Sequence, residues 1–340
     1  MKFLNYDDIL TALPPVSDLM DAMKIAFIQY SAGRAWVAPV SHVVVEGNGD
    51  ACIKAGYLKG EASWVVKVAG GFPGNSALGL SNSQGVMLLF SQQTGALQCI
   101  LADNGYLTDV RTAAAAVLCI RELKSITART LAVYGTGVIG KLVIEYAATL
   151  FCGSSEVELL VVSRCARKAQ EICELATSKL GWAGQRVASA SASEAARRAD
   201  VIVTCTPSTK PLIHEAKGGA LIVALGADAP GKRELGGGVF GGSSAPTSLR
   251  STSPSASESH TESSSDVLLL VDSAAQCLKF GEAAHRPADI AITELGQFFS
   301  NPKASRGVDQ TVVVDLTGVA VQDVAIATAV SAYDGTSGSS

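Results

Sequence analysis

From Ala128 onward the chain alternates between short apolar runs and longer helical patterns. TLAVYG leads through a glycine-rich turn into TGVIGKLVIEYAATL. VELLVVS leads into a helix from Cys165 to Leu180. ADVIVTCT and GALIVALGA follow as further apolar runs. Strands this uniformly apolar must be covered on both faces. With helices between them, that predicts a doubly wound parallel sheet of the α/β class. The first turn narrows the choice. Gly135-Thr136-Gly137-Val138-Ile139-Gly140 is a complete GxGxxG, placed directly after a strand and at the start of a helix. The first glycine permits the tight turn, the second lets backbone approach a pyrophosphate, and the third allows close helix–strand packing. The helix start then offers free N–H groups to phosphates. The competing reading is a glycine-rich turn in an α/β domain that holds no nucleotide.

The end of the second strand bears on which dinucleotide would bind. An NAD-selective site places Asp or Glu there, against the ribose hydroxyls. This chain has Ser163-Arg164, with Arg167 and Lys168 close behind. The missing carboxylate and the nearby cations favour NADPH over NAD, unless these cations are only a solvated helix start. Thr206-Pro207-Ser208, at the next strand end, completes the expected cofactor-binding set of Gly135, Thr136, Gly137, Val138, Ile139, Ser163 and Arg164.

Outside this region the pattern differs. Asp18 to Tyr30 carries apolar residues at helical spacing. Val40 to Leu101 holds short β-type runs (SHVVVE, SWVVKVA, GVMLLF, LQCILA) between Gly, Asn and Pro clusters, which predicts a mixed or antiparallel sheet. An alanine-rich helix is read from Arg111 to Leu123. VLLLVD resumes the parallel sheet, and Thr311 to Ala332 reads as strand, glycine turn and closing helix. Phe240 to Asp266 is Ser/Thr-rich with few apolar residues and is read as a disordered insertion.

Composition supplies exclusions. Of 340 residues, 48% are hydrophobic, too many for a disordered chain. With Lys plus Arg at 27 against Asp plus Glu at 31, the net charge of −4 argues against a basic nucleic-acid surface. Eight cysteines form no CxxC pair and no metal-type spacing with the four histidines, so reduced thiols in a cytoplasmic protein are expected. The start, MKFLNYDDIL, lacks a long apolar stretch, and no window of about 18 uncharged apolar residues occurs; neither export nor a membrane span is expected.

Several stretches in fixed order are more specific than any one of these signals. CIKAGYLKG, VVKVAGGFPGN, GLSNSQGVMLLFSQQTG, LADNGYLTDVRTAAAA, GTGVIG, GADAPGKREL, LKFGEAA and DLTGVAVQD together resemble the ornithine cyclodeaminase/mu-crystallin family. The resemblance implies a Rossmann-type doubly wound parallel sheet inserted into an α+β substrate-binding and dimerisation domain. That places residues 1–122 and 317–340 in the outer domain and 123–316 in the NAD(P)-binding domain, with 240–266 as the insertion. It also implies a homodimer that acts on amino acids or their imines with NAD(H) or NADP(H).

Carried over position by position, Lys67 in VVKVAGGFPGN matches the family's lysine near the substrate. Arg111 in LTDVRTAA matches the arginine that holds the α-carboxylate, a task suited to a planar guanidinium. Asp228 in GADAPGKREL matches the acidic residue used for proton transfer. The bland alternatives are a helix-start ion pair for Arg111 and a turn cap for Asp228. Two positions depart from the family. Pro39-Val40-Ser41-His42 stands where many members have a PxR element. Lys54 stands where true ornithine cyclodeaminases have glutamate. A lysine repels the ammonium end of ornithine. Lys54, Lys67 and Arg111, with His42 nearby, would instead form a cationic pocket suited to two carboxylates, unless Lys54 is an exposed strand lysine. This pattern resembles the subgroup that includes ectoine-utilisation proteins and iminosuccinate reductases. The expectation is NAD(P)H-dependent reduction of an imino acid to an L-amino acid, with iminosuccinate to L-aspartate as the first substrate. The alternatives are a cyclodeaminase with recycled NAD and a non-catalytic NADPH-binding protein of the crystallin kind.

Overall fold

A computed structural model describes residues 1–332 apart from 152–155, 189–190, 242–266, 302 and 308. Cys152 and all but the first two residues of the Ser-rich segment lie outside the described residues.

Two sheets organise the described chain. The first contains β1 (Lys2–Leu4), β2 (Ala35–Val37), β3 (Ser41–Val45), β4 (Gly49–Leu58), β5 (Ser63–Gly71), β6 (Ser83–Ser91) and β7 (Leu97–Leu101). Its order is β1-β7-β6-β5-β4-β2, with β3 also pairing β4. All its pairs are antiparallel except β1 with β7. The second contains β8 (Thr130–Tyr134), β9 (Glu158–Val162), β10 (Arg186–Ala188), β11 (Val201–Thr204), β12 (Leu221–Ala224), β13 (Val267–Val271), β14 (Ile292–Glu294) and β15 (Thr311–Asp315). It runs β10-β9-β8-β11-β12-β15-β13-β14 and is parallel throughout. The helices are α1 (Tyr6–Ala12), α2 (Val16–Ser31), α3 (Tyr106–Leu123), α4 (Val138–Leu150), α5 (Ala166–Ser178), α6 (Ala192–Arg198), α7 (Ala274–Phe280), α8 (Leu295–Ser300) and α9 (Ala320–Ser331).

The parallel sheet shows why its strands are apolar throughout. Leu131, Val133, Leu159 and Val161 face one core, with Val143, Ile144 and Ala147 of α4. Ala132, Tyr134, Leu160 and Val162 face another, with Ala195 and Ala196 of α6. The architecture is thus α/β with a doubly wound parallel sheet.

The inner face of the first sheet packs on α2, α3 and α9. Ala113 to Ala116 of α3 are fully buried. Their small side chains let α4 come close, so α3 ties the two sheets together. Helix α9 follows β15 directly yet packs against β4 and β5 of the other sheet. Buried residues run all round it (Val321, Gln322, Asp323, Val324, Ile326), as expected of a helix enclosed on every side.

Two boundaries differ from the sequence reading. Helix α3 begins at Tyr106, five residues before Arg111. Gly105, at φ +81°, turns the chain into the helix, and the Asp103 carboxylate accepts from Leu107 N at 2.8 Å. Strand β4 was not among the expected runs, because Lys54 and Gly56 interrupt its apolar pattern. Gly56 is there for space, since a Cβ would lie 2.8 Å from the Trp36 carbonyl oxygen and 3.4 Å from Ala320 Cβ.

Candidate functional site

The glycine motif forms an open cradle. Gly135 has φ +122°, and a Cβ there would lie 2.9 Å from Cys205 Sγ. At Gly140 a Cβ would meet the Gly135 carbonyl oxygen at 2.3 Å. Gly137 faces open space and carries no side chain that could cap α4. The N–H groups of the first turn, from Val138 and Ile139, are therefore available to phosphate oxygens. These residues fit a dinucleotide pyrophosphate.

Ser163 follows β9 and reaches Thr136, with Oγ atoms 3.5 Å apart; it also accepts from Cys165 N at 3.2 Å. Arg164, Arg167 and Lys168 are exposed beside it. Arg167 is engaged by Glu171 one turn along α5. At the end of β11, Thr206 donates from both N and Oγ1 to Glu234 Oε1, each at 2.7 Å. Ser208 N donates to Thr206 Oγ1 at 3.3 Å, and Pro207 is exposed between them.

Lys54, Lys67 and Arg111 lie close together around one buried carboxylate. Lys54 and Lys67 stand directly opposite each other on β4 and β5. Lys67 is 2% exposed and donates to Asp323 Oδ1 at 2.8 Å. Arg111 Nε forms an ion pair with the same oxygen at 3.2 Å. Among the described residues Asp323 Oδ2 has no hydrogen-bond partner. Lys54 is half-buried and donates to the Gly318 carbonyl oxygen at 2.7 Å. Gly318 has φ +82°, and a Cβ there would lie 2.9 Å from Arg111 Nη1.

Their ionisation follows from crowding. Burial pushes Lys67 down to about 7, aided by Arg111 and Lys54 and opposed by Asp323. Lys54 is lowered by burial and then by Arg111. Burial pushes Asp323 up, but Lys67, Arg111 and Lys54 outweigh it and hold the carboxyl below its ordinary value. Three cations around one carboxylate leave an excess of positive charge, smaller than the three lysine and arginine positions alone would give.

The remaining candidates lie further out. Asp228 is exposed in the loop after β12, where its Oδ1 accepts from Lys232 Nζ at 2.6 Å. Its charge acts on Lys54 and Cys52. His42 lies on β3 opposite Cys52 rather than Lys54, and its exposed imidazole is engaged by Asp50 at 2.5 Å. A cavity of about 200 Å³, lined by Tyr6, Ser81, Asn104, Tyr106, Asp109 and Val138, adjoins the start of α4. None of Lys54, Lys67 and Arg111 lines it.

Sequence reasoning missed Asp323 and Glu234. Asp323 is the one charged residue of a helix that otherwise reads as apolar, which was its available signal. Glu234 lies in GADAPGKREL, where Asp228 drew the attention, and nothing in its spacing marks it as buried.

The cradle, the strand-end loops and the buried cations define a class: a Rossmann-type, dinucleotide-dependent oxidoreductase. The family is fixed by comparison. The model of the ornithine cyclodeaminase/mu-crystallin family matches residues 5–244, and the chain belongs to that family. It is 30% identical to an uncharacterized cyclodeaminase of Sinorhizobium fredii, over 96% of this chain and 94% of the relative. It is 26% identical to iminosuccinate reductase of Paracoccus denitrificans, over 91% and 89%. Among solved structures, an archaeal alanine dehydrogenase dimer with bound NAD has a TM-score of 0.79, covering 97% of this chain and 94% of that one. The Paracoccus denitrificans iminosuccinate reductase with NAD⁺ has a TM-score of 0.78, covering 97% and 95%. At 24% identity, both structures show a shared fold. Among the described residues no helix is long and apolar enough to cross a membrane.

Proposed function

We propose that this protein reduces an imino acid to an L-amino acid with NAD(P)H, and that its substrate is the dicarboxylic imine iminosuccinate, giving L-aspartate. The observation that carries this reading is the Lys54–Lys67–Arg111 cluster around Asp323, beside a loop that carries Asp228. The family relatives named as an iminosuccinate reductase and an alanine dehydrogenase support the reaction type.

When bound in the glycine cradle, NAD(P)H would supply the hydride for the imine carbon. The chain supplies orientation and charge. Arg111 presents a planar guanidinium to the α-carboxylate, and Gly318 keeps the space beside that guanidinium clear. Lys54 takes the second carboxylate. Lys67, held near neutrality by its surroundings, keeps the imine nitrogen protonated and is itself reprotonated from the cleft, where Asp228 lies. Gly135, Gly137 and the N–H groups of Val138 and Ile139 would hold the pyrophosphate. NADPH is the preferred form, because Ser163 replaces a carboxylate and Arg164 and Lys168 stand next to it.

Two wider features belong to the same reading. The helix α9 of one sheet follows directly on a strand of the other, which supports a dinucleotide domain, residues 123–316, inserted between 1–122 and 317–340. The outer face of the first sheet supports a homodimer. Trp36 stacks on Tyr57 and Trp64 on Phe90, and Trp36 and Phe3 are 51% and 58% exposed.

The test is consumption of NADPH or NADH by purified protein given oxaloacetate, pyruvate or glyoxylate with ammonia, or a cyclic ketimine. Oxidation of the cofactor in step with L-amino acid formation is expected. Release of ammonia from an added diamino acid such as L-ornithine, with no net change in cofactor, would make the protein a cyclodeaminase. Tight cofactor binding without turnover on any of these would make it a binding protein.

A further inference from the structure

A chain of buried carboxylates runs beneath the site, from the dinucleotide loops to the substrate cations. Glu234, fully buried, accepts four hydrogen bonds. Oε1 takes Thr206 N and Oγ1, both at 2.7 Å; Oε2 takes Thr204 Oγ1 at 2.7 Å and Gly226 N at 2.8 Å. These bonds clamp the carboxyl ends of β11 and β12 together. Gly226 leaves the room, since a Cβ there would lie 2.5 Å from the Glu234 carboxylate. The Glu234 and Leu235 N–H groups donate in turn to the buried Glu282. Asp315 accepts from Ala283 N at 2.9 Å. At the far end, Asp272 accepts from Gly318 N at 2.7 Å, Thr317 Oγ1 at 2.9 Å and Cys277 Sγ at 3.3 Å. Gly318 is the residue whose carbonyl receives Lys54 and whose Cα lies against Arg111.

Neither Glu234 nor Asp272 belongs to the cofactor or substrate residues named above. Each carries the backbone on which those residues sit, and each serves one side of the cleft. We propose that both are positioning residues with separate duties: Glu234 fixes the Thr206-Pro207-Ser208 loop for the dinucleotide, and Asp272 fixes the Gly318 peptide for the carboxylate-binding Lys54 and Arg111. This inference rests on the carboxylate pocket described under Proposed function.

The chemistry of amide substitution makes the two duties separable. An amide nitrogen cannot accept a hydrogen bond. Glu234→Gln therefore loses two of its four bonds, and Asp272→Asn sets an N–H donor against one of its donors. Losing a bond to a buried carboxyl loosens the backbone it holds, and a tenfold loss of affinity corresponds to about 1.4 kcal/mol. The milder partners Thr204→Val and Thr317→Val keep the shape of the side chain and cover the case in which a carboxylate variant does not fold; Thr204→Val removes the one bond to Glu234, and Thr317→Val removes the bond to Asp272 together with the one Thr317 accepts from Gln276 Nε2 at 3.2 Å and the contact with Cys277 Sγ.

Binding to the purified full-length protein is the readout, so no turnover is required. NADPH affinity is followed by protein fluorescence. The affinities of succinate and L-alanine are followed by their protection against thermal unfolding in the presence of NADPH. Glu234→Gln should weaken NADPH about tenfold or more and leave the acid within about twofold once the cofactor is saturating. Asp272→Asn should do the reverse, and Thr204→Val and Thr317→Val should follow the same split at smaller size. Equal weakening of both ligands in both carboxylate variants, or no change beyond a lower melting temperature, would overturn the inference and leave the proposed reaction standing. Wild-type protein that binds NADPH but neither acid would overturn the Asp272 half, and with it the carboxylate pocket itself.

Discussion

Lys67 and Asp323 are separated by 256 positions in the chain and by 2.8 Å in the fold. The pairing matters because it sets the behaviour of the lysine. Lys67, lowered to about 7 chiefly by burial, holds its proton below neutrality and releases it above. If it keeps the imine protonated, kcat/KM for imine reduction falls as pH rises through about 7, and Lys67→Met removes that limb of the profile along with most of the activity. A pH–rate series on both proteins checks this. Arg111→Ala takes away the α-carboxylate partner and one cation from Asp323. The expected loss in kcat/KM is about 2–5 kcal/mol, read mainly in substrate KM. Gly318→Ala places a methyl group against Arg111 Nη1 at a backbone angle that L side chains rarely adopt. It should mimic the Arg111 defect and leave dinucleotide affinity intact. The lysine and the arginine were legible in the sequence by resemblance. Their shared carboxylate was not, because it arrives on a closing helix that reads as apolar packing.

The elements divide along the same line. Strand–turn–helix around GTGVIG was readable, since an uninterrupted apolar strand followed by glycines has few other uses. Strand β4 was not, because Lys54 and Gly56 answer to α9 and β2 rather than to the strand's own pattern. The ends of β13 and β15 carry a further cost that no local pattern reveals. Asp315 is pushed up to about 8 by burial, with Asp272 and Glu282 adding to it, and burial pushes Glu282 up to about 7. Each keeps a proton in the folded chain that the unfolded chain has released above about pH 4. Their contribution to stability is complete below about pH 4, declines as pH rises, and is gone above about 8. Lys67 acts in the opposite sense above about 7, where the unfolded chain holds a proton that the folded one has lost. Asp315→Asn keeps the Ala283 bond through its amide oxygen, and among the described residues Asp315 Oδ1 has no hydrogen-bond partner to lose. Urea unfolding from about pH 5 to about pH 8 should show wild-type stability falling with pH. The variant should fall less steeply, by up to about 1.4 kcal/mol per pH unit. Equal slopes in the two proteins would show that Asp315 does not titrate in this range.

At the scale of the molecule, one sheet offers a dinucleotide cradle and the other offers cations, and α3 and α9 hold the two in register. The outer face of the first sheet, with its exposed Trp36 and Phe3, is the surface on which a second copy would sit. A Trp36→Glu, Phe3→Glu double variant should run at the monomer mass of 34.9 kDa by light scattering, with wild type at twice that. Wild type at the monomer mass would remove the dimer from the account. The central claim is narrower than fold or assembly: Lys54 makes this a site for two carboxylates. The direct measurement is the ratio of kcat/KM for the imine of oxaloacetate to that for the imine of pyruvate, in wild type and in Lys54→Ala, with cofactor saturating. Wild type should favour the dicarboxylic imine, and Lys54→Ala should lose that preference by about tenfold or more, with the pyruvate imine little changed. The same ratio in both proteins would contradict it.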